Sequence, residues 1–463
     1  MAACEDPDAW LSYITLDRVL AMLQDNGTVE VLYKILPCNA NSKNQVYLAS
    51  DLSQLGKLPS GEVTLHRSTS VKSGTQEAVF RSKLELFWLD RDGRPHAAPN
   101  AQLILYPQYP EVRLSGFLQG CARPPSSLWN TGKRGSEADR ILVLGVGRDR
   151  RIVAITLPPE SPAAREIRAT EPHEAYGALG VLPLLGQQSA DGFLALMGEL
   201  CRIHRLGWVP STRLDRDGRI VPCNASNCNG NTLESLLGIR SNGFSLPDYR
   251  GWEIKVRQVS DVDNPSRSIV TLFTPEPSGG RYIADGVVTF IRCYGYVDTL
   301  GRPDRLNVGG VYRVNHPANQ RTGLRLVMQG FDATTDHYIP SGSICLMDAR
   351  DNIAAAWSFA KLMDHWKTKH AQAAFVPAQA STSGDRRYRY GRKIQLGEGA
   401  EFRLFLRAVH EGRVYYDPGI KLEAASTDRP RPKKRSQFRV SSGDLESLYT
   451  SSRIVDACTC IEG

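Results

Sequence analysis

PDYRGWEIK, residues 247–255, predicts both a strand and its chemistry. Side chains two positions apart lie on the same face of a strand. Trp252 and Ile254 therefore form an apolar face, whereas Glu253 and Lys255 share the opposite, charged face. This alternation is typical of a strand that buries one side in a core and presents the other side to solvent or to a ligand.

A second carboxylate precedes this strand. Asp248 follows Pro247, which restricts the backbone, and Gly251 permits a sharp turn before the strand. The carboxylates of Asp248 and Glu253 are therefore expected to lie close together. Two such oxygen ligands suit Mg²⁺, which neutralises a phosphate and promotes the ionisation of water. Lys255 would then orient the attacking water and offset the charge that grows on the phosphate.

The same residues have a second interpretation. An Asp followed by Glu-x-Lys is a short pattern with many chance matches, and a solvated strand would also carry it. Glu234 in NGNTLESLLGI (229–239) is a third acid. Asn231 is a candidate N-cap, which would place Glu234 in a capping box. A helix that begins there could also present Glu234 to the same metal.

Composition describes an ordinary globular protein. The chain has 463 residues, 41% hydrophobic and 23% charged, with a net charge of +8. This length suits two or three domains, and the mild positive charge is compatible with a polyanionic partner. There is no apolar run that could span a membrane and no apolar signal core at the N-terminus. We therefore expect a cytoplasmic protein with reduced thiols among its ten cysteines.

Four segments are predicted along the chain. Residues 1–155 contain short apolar runs separated by turn residues, which predicts a β-rich, barrel-like or sandwich domain. Proline and charge in residues 156–189 predict a linker. Residues 190–425 alternate strand and helix patterns and form the second domain. Residues 426–463 are polar and basic, which predicts a mostly disordered tail.

Two apolar stretches of the second domain predict specific elements. GVVTFIRCYGYVD (286–298) is rich in β-branched and aromatic residues and predicts a strand. Residues 353–374 carry an apolar stripe that includes Trp357 and Met363 and predict one helix.

Basic residues are concentrated late in the chain. GDRRYRYGRK (384–393) interleaves arginines with tyrosines, which fits either a solvated loop or contact with phosphates and bases. RPRPKKR (429–435) predicts a flexible basic tail that could add nonspecific affinity for DNA.

Several motifs, in order, resemble those of the MvaI/BcnI family of restriction endonucleases, relatives of the mismatch-repair nickase MutH. They are GWVPSTR (207–213), GNTLESLLGI (230–239), NGFSLPDYRGWEIK (242–255), WSFAKLMDHWKTKHAQAAFV (357–376) and VYYDPGIKLE (414–423). The resemblance covers about residues 190–425. A helical Glu, then an Asp, then Glu-x-Lys is the family's catalytic order, and several motifs recurring together are more specific than one short pattern.

The resemblance implies a mixed α/β fold, a PD-(D/E)XK nuclease core beside the separate β-rich N-terminal domain. It implies type II-like, sequence-specific hydrolysis of double-stranded DNA that leaves a 5′-phosphate and depends on Mg²⁺, with Mn²⁺ able to substitute. Glu234 matches the helical acid, Asp248 and Glu253 match the metal ligands, and Lys255 matches the catalytic lysine. Such enzymes often act as monomers in the bacterial cytoplasm, and the same system would include a cognate methyltransferase.

The resemblance places base-reading residues late in the nuclease domain. Within 384–393, it implies DNA contacts by Asp385, Arg387, Arg389 and Tyr390. Arginine can bind the edge of guanine through two hydrogen bonds, and an aspartate can accept from cytosine or orient an arginine.

The N-terminal domain carries a separate resemblance. VLYKILPCNANSKNQVYLASDLSQLGKLP (31–59) resembles the DNA-binding effector domain of the restriction enzyme EcoRII. This implies DNA contacts by Lys34, Asn41 and Lys43, whereas a protein-binding scaffold is the alternative. Three other functions stay open: a MutH-like repair nickase, a DNA-binding regulator with an idle nuclease core, and a modification-dependent nuclease whose N-terminal domain is the reader.

Overall fold

The chain divides into two compact units, Met1–Asp191 and Gly192–Gly463. The computed structural model describes residues 6–37, 46–67, 78–129, 139–170, 175–184, 192–215, 217–225, 227–239, 249–370, 372–382 and 384–461. Across these ranges, no helix is both long enough and apolar enough to cross a membrane.

The first unit is dominated by strands. Its strands are β1 (Thr28–Leu36), β2 (Val46–Ala49), β3 (Thr64–Arg67), β4 (Ala78–Lys83), β5 (Leu86–Leu89), β6 (Pro95–Ala97), β7 (Gln102–Tyr106), β8 (Glu111–Ser115), β9 (Arg140–Gly147), β10 (Ile152–Leu157), β11 (Ala175–Tyr176) and β12 (Leu179–Leu182). Its helices are α1 (Leu16–Asp25), α2 (Ser126–Trp129) and α3 (Pro162–Ala169), with 3₁₀ turns at Ala9–Tyr13 and Leu52–Leu55.

These strands form two open sheets. The described strands pair in the orders β11-β12-β1-β9-β10-β5-β6 and β2-β8-β7-β4-β3. The prediction of a β-rich fold is confirmed, but its barrel-like form is wrong, because neither described sheet closes on itself. Helices α1 and α3 cover the larger sheet, where Val31, Val143 and Ile155 belong to one buried cluster with them.

The predicted linker at 156–189 is wrong. This segment contains the end of β10, helix α3 and strand β12, which pairs antiparallel with β1. Ser161 caps α3 by accepting a hydrogen bond from the Ala164 amide, and Pro162 occupies its first turn. Ala163 and Ile167 are buried against the sheet, so the proline and charged residues mark a helix start and its exposed side.

The second unit mixes helices and strands. Its helices are α4 (Gly192–Arg205), α5 (Cys228–Leu236), α6 (Arg281–Ala284), α7 (Gly286–Tyr294), α8 (Phe359–Lys369) and α9 (Phe402–His410). Its strands are β13 (Val209–Pro210), β14 (Thr212–Leu214), β15 (Ile220–Pro222), β16 (Glu253–Gln258), β17 (Ile269–Phe273), β18 (Tyr296–Val297), β19 (Arg305–Gly309), β20 (Arg325–Asp332), β21 (His337–Met347), β22 (Ile353–Ser358), β23 (Gln372–Ala380), β24 (Arg387–Tyr390), β25 (Lys393–Ala400), β26 (Val414–Tyr416), β27 (Gly419–Glu423), β28 (Arg431–Lys433), β29 (Phe438–Ser441) and β30 (Tyr449–Asp456). Further 3₁₀ turns span Ser442–Leu448 and Thr459–Ile461.

A mixed sheet around β23 organises this unit. Strand β16 pairs parallel with β23, whereas β24 and β25 both pair antiparallel with β23. Since only Gly391 and Arg392 separate β24 from β25, the two behave as one interrupted strand. Strands β13 and β30 extend the sheet beyond β24 and β25, respectively.

Smaller sheets complete the described part of the second unit. They pair in the orders β17-β29-β26, β18-β19-β27-β28, β20-β21-β22 and β14-β15. The predicted mixed α/β architecture is therefore confirmed.

Two local predictions in this unit are wrong. Residues 286–298 begin as helix α7, with Phe290, Ile291 and Tyr294 buried at helical spacing, and only its end forms β18. Residues 353–374 contain β22, α8 and the start of β23. Ser358 ends the strand pattern by capping α8, where its side chain accepts from the Lys361 amide.

The predicted disordered tail at 426–463 is also wrong. Strand β29 pairs with β17 and β26, and β30 pairs along most of β25. Phe438 and Val440 are completely buried, as is Leu445 in the following 3₁₀ turn. Apolar side chains at every second position over only four residues make too short a pattern to stand out from a basic, polar sequence.

The expected reduced state of the cysteines does not hold for four of them. Disulfides join Cys201 to Cys458 and Cys223 to Cys228. The first bond links α4 to the segment after β30, and the second joins the first residue of α5 to the loop before it. All four residues lie in the buried cluster that packs on the central sheet.

Candidate active site

A tight turn immediately precedes strand β16. Tyr249 and Trp252 exchange two backbone hydrogen bonds of 3.0 and 2.8 Å. The two residues between them have positive φ angles, 45° for Arg250 and 92° for Gly251. Glycine adopts such a conformation without a steric penalty. Glu253 therefore becomes the first residue of β16.

The two faces of β16 are as the sequence predicts. Trp252 and Ile254 join the buried cluster beneath α4, and Val256 packs against its edge. Glu253 and Lys255 point to the opposite face, where both side chains are largely withdrawn from solvent, with exposures of 7% and 12%.

Glu253 and Lys255 form an ion pair. The Lys255 Nζ atom donates to Glu253 Oε1 at 2.9 Å. Because β16 runs parallel to β23, with Lys255 beside Phe375, the pair lies on the central sheet. Burying both charges costs desolvation free energy, which their mutual attraction offsets only in part. The arrangement can hold a hard cation and present a positive charge to a phosphate.

Tyr449, on strand β30 of the same sheet, lies near this pair. Its ring packs on Phe375, with centroids 6.2 Å apart. Gly397 makes this possible, because a Cβ atom at that position would lie 2.5 Å from the ring. Burial raises the pKa of the Tyr449 hydroxyl, and the nearby Glu253 carboxylate raises it further.

His370 completes this border. It is fully buried, stacks on Trp366 with centroids 4.0 Å apart, and its Nδ1 lies 3.3 Å from the Tyr449 hydroxyl. Tyr449 and His370 thus support the face that carries Glu253. Sequence reasoning missed Tyr449, whose position opposite Ala400 depends on the unpredicted strand β30.

Glu234 lies on α5, which packs against β16. The proposed capping box is wrong, because the helix begins at Cys228 and places Asn231 inside it rather than at its N-cap. The buried hydroxyl of Tyr390 donates to the Asn229 carbonyl at 2.8 Å. Burial raises the pKa of Tyr390, and the Glu234 carboxylate contributes to this rise, so Glu234 and Tyr390 are neighbours.

Several further contacts fix α5. Thr232 exchanges hydrogen bonds with the backbone of Thr212, and the Cys223–Cys228 disulfide closes the loop before the helix. Arg386 donates to the Ala225 carbonyl inside that loop at 2.8 Å. The helix that carries Glu234 is therefore tied directly to the segment that precedes β24.

The candidate DNA-reading residues have different environments. Asp385 and Arg387 are exposed. Tyr390 is only 2% exposed and anchors α5, so its predicted contact with DNA is wrong. Arg389 is half-buried; its Nε donates to Gln379 Oε1 at 2.8 Å, and its guanidinium lies over the exposed ring of Trp208.

Two carboxylates hold Arg389 from the other side. Its Nη2 lies 3.4 Å from the half-buried Asp261 and 3.3 Å from the exposed Asp263, both in the loop after β16. The loop that follows the Glu253–Lys255 strand is thereby linked to β24. Only the folded sheet brings these acids and Trp208 to Arg389, since they are more than a hundred residues away in sequence.

The remaining predicted residues are Lys34, which belongs to the first unit, and three residues that the structure does not describe. Lys34 is a half-buried residue of β1 in the first unit, 5.7 Å above the ring of Tyr47, and burial lowers its pKa. Asn41, Lys43 and Asp248 lie outside the described residues. In the part of the chain that is described, no group of three or more His, Cys, Asp or Glu side chains could hold a metal ion.

Comparison with known proteins gives one family. The model of the MvaI/BcnI restriction endonuclease family matches residues 197–449, a range that contains Glu234, Glu253, Lys255 and Arg389. No curated protein matches the chain significantly.

Two solved structures of the restriction endonuclease MvaI are similar to the chain. For the complex with its cognate DNA, identity is 16%, coverage is 58% of this chain and 100% of that chain, and the TM-score is 0.43. For MvaI without DNA, identity is 17%, coverage is 59% and 100%, and the TM-score is 0.32.

Proposed function

The chain belongs to the MvaI/BcnI restriction endonuclease family and is thus a DNA endonuclease, and we propose that it cuts double-stranded DNA at a specific sequence by Mg²⁺-dependent hydrolysis. The observation that carries the proposal is the Glu253–Lys255 pair on one face of β16, inside the family match. A phosphodiester bond is cut there to leave a 5′-phosphate.

The donor chemistry fits a divalent cation. Restriction endonucleases of this kind generally use divalent metal ions. Mg²⁺ retains several waters and requires only one or two protein carboxylates. Glu253 supplies a nearly buried carboxylate, and we assign Asp248, five residues earlier in sequence, as its companion. When bound, the cation stabilises negative charge on the phosphate and lowers the pKa of water, and Mn²⁺ can replace it.

Lys255 and Glu234 have different roles in the proposed reaction. Lys255 orients the attacking water and stabilises the charge that develops on the phosphate oxygens. Its pairing with Glu253 fixes the position of its ammonium group in the absence of DNA. Glu234 lies on α5 and would support a bound cation from that helix, which the anchoring of Asn229 by Tyr390 holds in place.

We assign sequence reading to β24 and the segment before it. Arg387 and Asp385 are exposed, and the Arg389 guanidinium lies 5.6 Å from the centre of the Trp208 ring. Arginine donates to the O6 and N7 atoms of guanine, and aspartate accepts from the N4 amino group of cytosine. The arginines would supply the donors and Asp385 the acceptor that a C·G pair requires. Asp261 and Asp263 contact Arg389 and would orient it.

The first unit is assigned a supporting contact with DNA through Lys34, Asn41 and Lys43. The ammonium group of Lys34, a residue of β1, lies over the ring of Tyr47 on β2, and Asn41 and Lys43 belong to the segment between these two strands. We propose a monomeric enzyme that works with a cognate methyltransferase in the bacterial cytoplasm.

Digestion of plasmid DNA tests the catalytic assignment. With Mg²⁺ alone, the full-length protein should give discrete fragments, and a chelator should abolish them. Lys255→Ala should lower the cleavage rate by at least about 10²-fold while DNA binding is retained. Lys57→Ala is the matched control, because Lys57 also forms a mostly buried pair, at 2.6 Å from Glu30, but lies in the first unit.

Three outcomes would contradict the proposal. Equal activity of Lys255→Ala and wild type would remove Lys255 from catalysis. Accumulation of nicked circles without linear DNA would favour a nickase. Cleavage only of methylated plasmid would favour a modification-dependent enzyme.

A further inference from the structure

The sheet β18-β19-β27-β28 has one strongly basic face. Antiparallel partners lie on the same side of a ladder, so the pairs Lys421–Lys433, Glu423–Arg431 and Arg305–Glu423 place their side chains together. We call this the basic face; its members are Arg305, Lys421, Glu423, Arg431 and Lys433. Its edge strand β28 is formed by the RPRPKKR segment.

The orientation of the basic face is fixed by the opposite side of the same sheet. Val308, Ile420 and Leu422 alternate with the charged residues and are fully or almost fully buried. Pro432 pairs with Leu422 from the edge strand, where the missing amide hydrogen breaks no ladder within the sheet. The basic residues are therefore held in register on a packed sheet.

Like charges face each other on this surface. Lys421 lies directly opposite Lys433, an arrangement that destabilises an antiparallel pair. Lys433 reaches sideways to Glu423 at 3.5 Å and is 66% exposed. Lys421 and Arg431 have no ion-pair partner in the part of the chain that the structure describes.

The carboxylates available nearby are already shared. Arg305 makes two hydrogen bonds to Glu423, of 2.9 and 2.5 Å, which hold the pKa of Glu423 below its usual value. Arg302 adds a third cation at 3.9 Å from the same carboxylate. Asp298 receives hydrogen bonds from Asn307 and from backbone amides. The basic face thus has an excess of positive charge that the protein does not neutralise.

We propose that the basic face binds the phosphate backbone of duplex DNA, outside the sheet that carries Glu253 and Lys255. An ordered row of cations that share one carboxylate, Glu423, suits an extended polyanion, and DNA is the substrate of this enzyme family. Phosphate contacts carry no sequence information. This surface therefore increases the affinity for DNA and orients the duplex toward β24, to which sequence reading is assigned. The inference rests on DNA being the substrate and is independent of the roles assigned to Glu253 and Lys255.

The double variant Lys421→Gln/Lys433→Gln tests the basic face. Binding of the full-length protein to a fluorescent duplex of arbitrary sequence is measured with a chelator present, so that cleavage plays no part. We expect weaker binding to every duplex sequence. The slope of log K against log salt should become shallower by about 0.9 for each phosphate that the variant no longer neutralises, or about 1.8 for two phosphates.

Stability of the same variant separates binding from folding. Because the substitutions remove a repulsive pair, the midpoint of urea unfolding should be unchanged or higher. The control Arg281→Gln/Arg413→Gln removes the same charge from two exposed residues that pair with Asp285 and Glu411. This control should bind DNA with a nearly unchanged salt slope.

Two results would overturn the proposal. An unchanged affinity and slope in the lysine variant would show that the basic face does not contact DNA. An equally weakened affinity in the arginine control would show that net charge alone is responsible. Either result leaves the plasmid-cleavage test of the active site unaffected.

Discussion

The second unit contains two charged pairs that differ in the sign of their charges and in their burial. Glu253 and Lys255 carry opposite charges, lie two residues apart on one strand and meet at 2.9 Å in a nearly buried site. Lys421 and Lys433 carry the same charge and face each other across a ladder, with Lys433 mostly exposed. A charge that leaves water requires a counter-charge within the protein, whereas an exposed charge does not. Unbalanced charge can therefore be retained only where solvent, or a ligand, reaches it.

Breaking the buried pair should have the largest effect on stability. Glu253→Ala leaves the Lys255 ammonium group uncompensated, and we expect a loss of about 3 kcal/mol in the free energy of unfolding. Urea denaturation of the single variant and of Glu253→Ala/Lys255→Met measures this loss. The double variant should recover part of it. A single variant as stable as wild type would show that the pair is well solvated.

Arg305 provides the intermediate case. It belongs to the basic face but is buried and hydrogen-bonded to Glu423. Arg305→Ala should lower the melting temperature, although by less than Glu253→Ala does, because Arg302 and Lys433 remain near the Glu423 carboxylate. The melting temperatures of Arg305→Ala and Lys433→Ala are compared by thermal unfolding. If Lys433→Ala were the more destabilising variant, burial would not explain the difference between the two kinds of charged pair.

Alkaline pH tests whether a second negative charge is tolerated beside Glu253. The pKa of Tyr449 is raised above its ordinary value of 10.0, first by burial and then by Glu253. A raised pKa in the folded state stabilises the protein fully below pH 10, and that stability is lost above it. The loss should reach about 1.4 kcal/mol per pH unit for this tyrosine.

Tyr449→Phe isolates this contribution. The variant should lose less stability than wild type between pH 10 and 11, as measured by chemical denaturation at each pH. Parallel curves for the two proteins would mean that Tyr449 ionises freely in the folded state.

Reversing one charge on the basic face should have the smallest effect on stability. Lys421→Glu converts the Lys421–Lys433 pair into an attractive one and should stabilise the fold by about 0.5 kcal/mol. The same variant should bind duplex DNA more weakly than Lys421→Gln. A destabilised Lys421→Glu protein would contradict the repulsion inferred from the ladder.

Sequence reasoning succeeded where the pattern was local. The alternation in residues 252–256 predicted which side chains of β16 are apolar and which are charged, and the structure confirms it. The spacing of apolar residues over one strand contained the necessary information.

It failed where distant partners decide the structure. Residues 286–298 have β propensity, but their burial against β19 and β27 favours a helix. The basic 429–435 segment has almost no apolar residues, yet β27 provides a strand edge with which it pairs. Tyr390 resembled a DNA contact because of its arginine neighbours, whereas the fold buries it beneath α5.

The sequence by itself determined the family, the mixed α/β class and the shared face of Glu253 and Lys255. These depend on residue order and on a two-residue period, both of which are local properties of the chain. Only the tertiary structure decided that Tyr449 borders Glu253, that Asp261 and Asp263 hold Arg389, and that Lys421 opposes Lys433. Strand pairing joins residues as far apart as Val209 and Tyr388, and its register is set by the packing of the whole core.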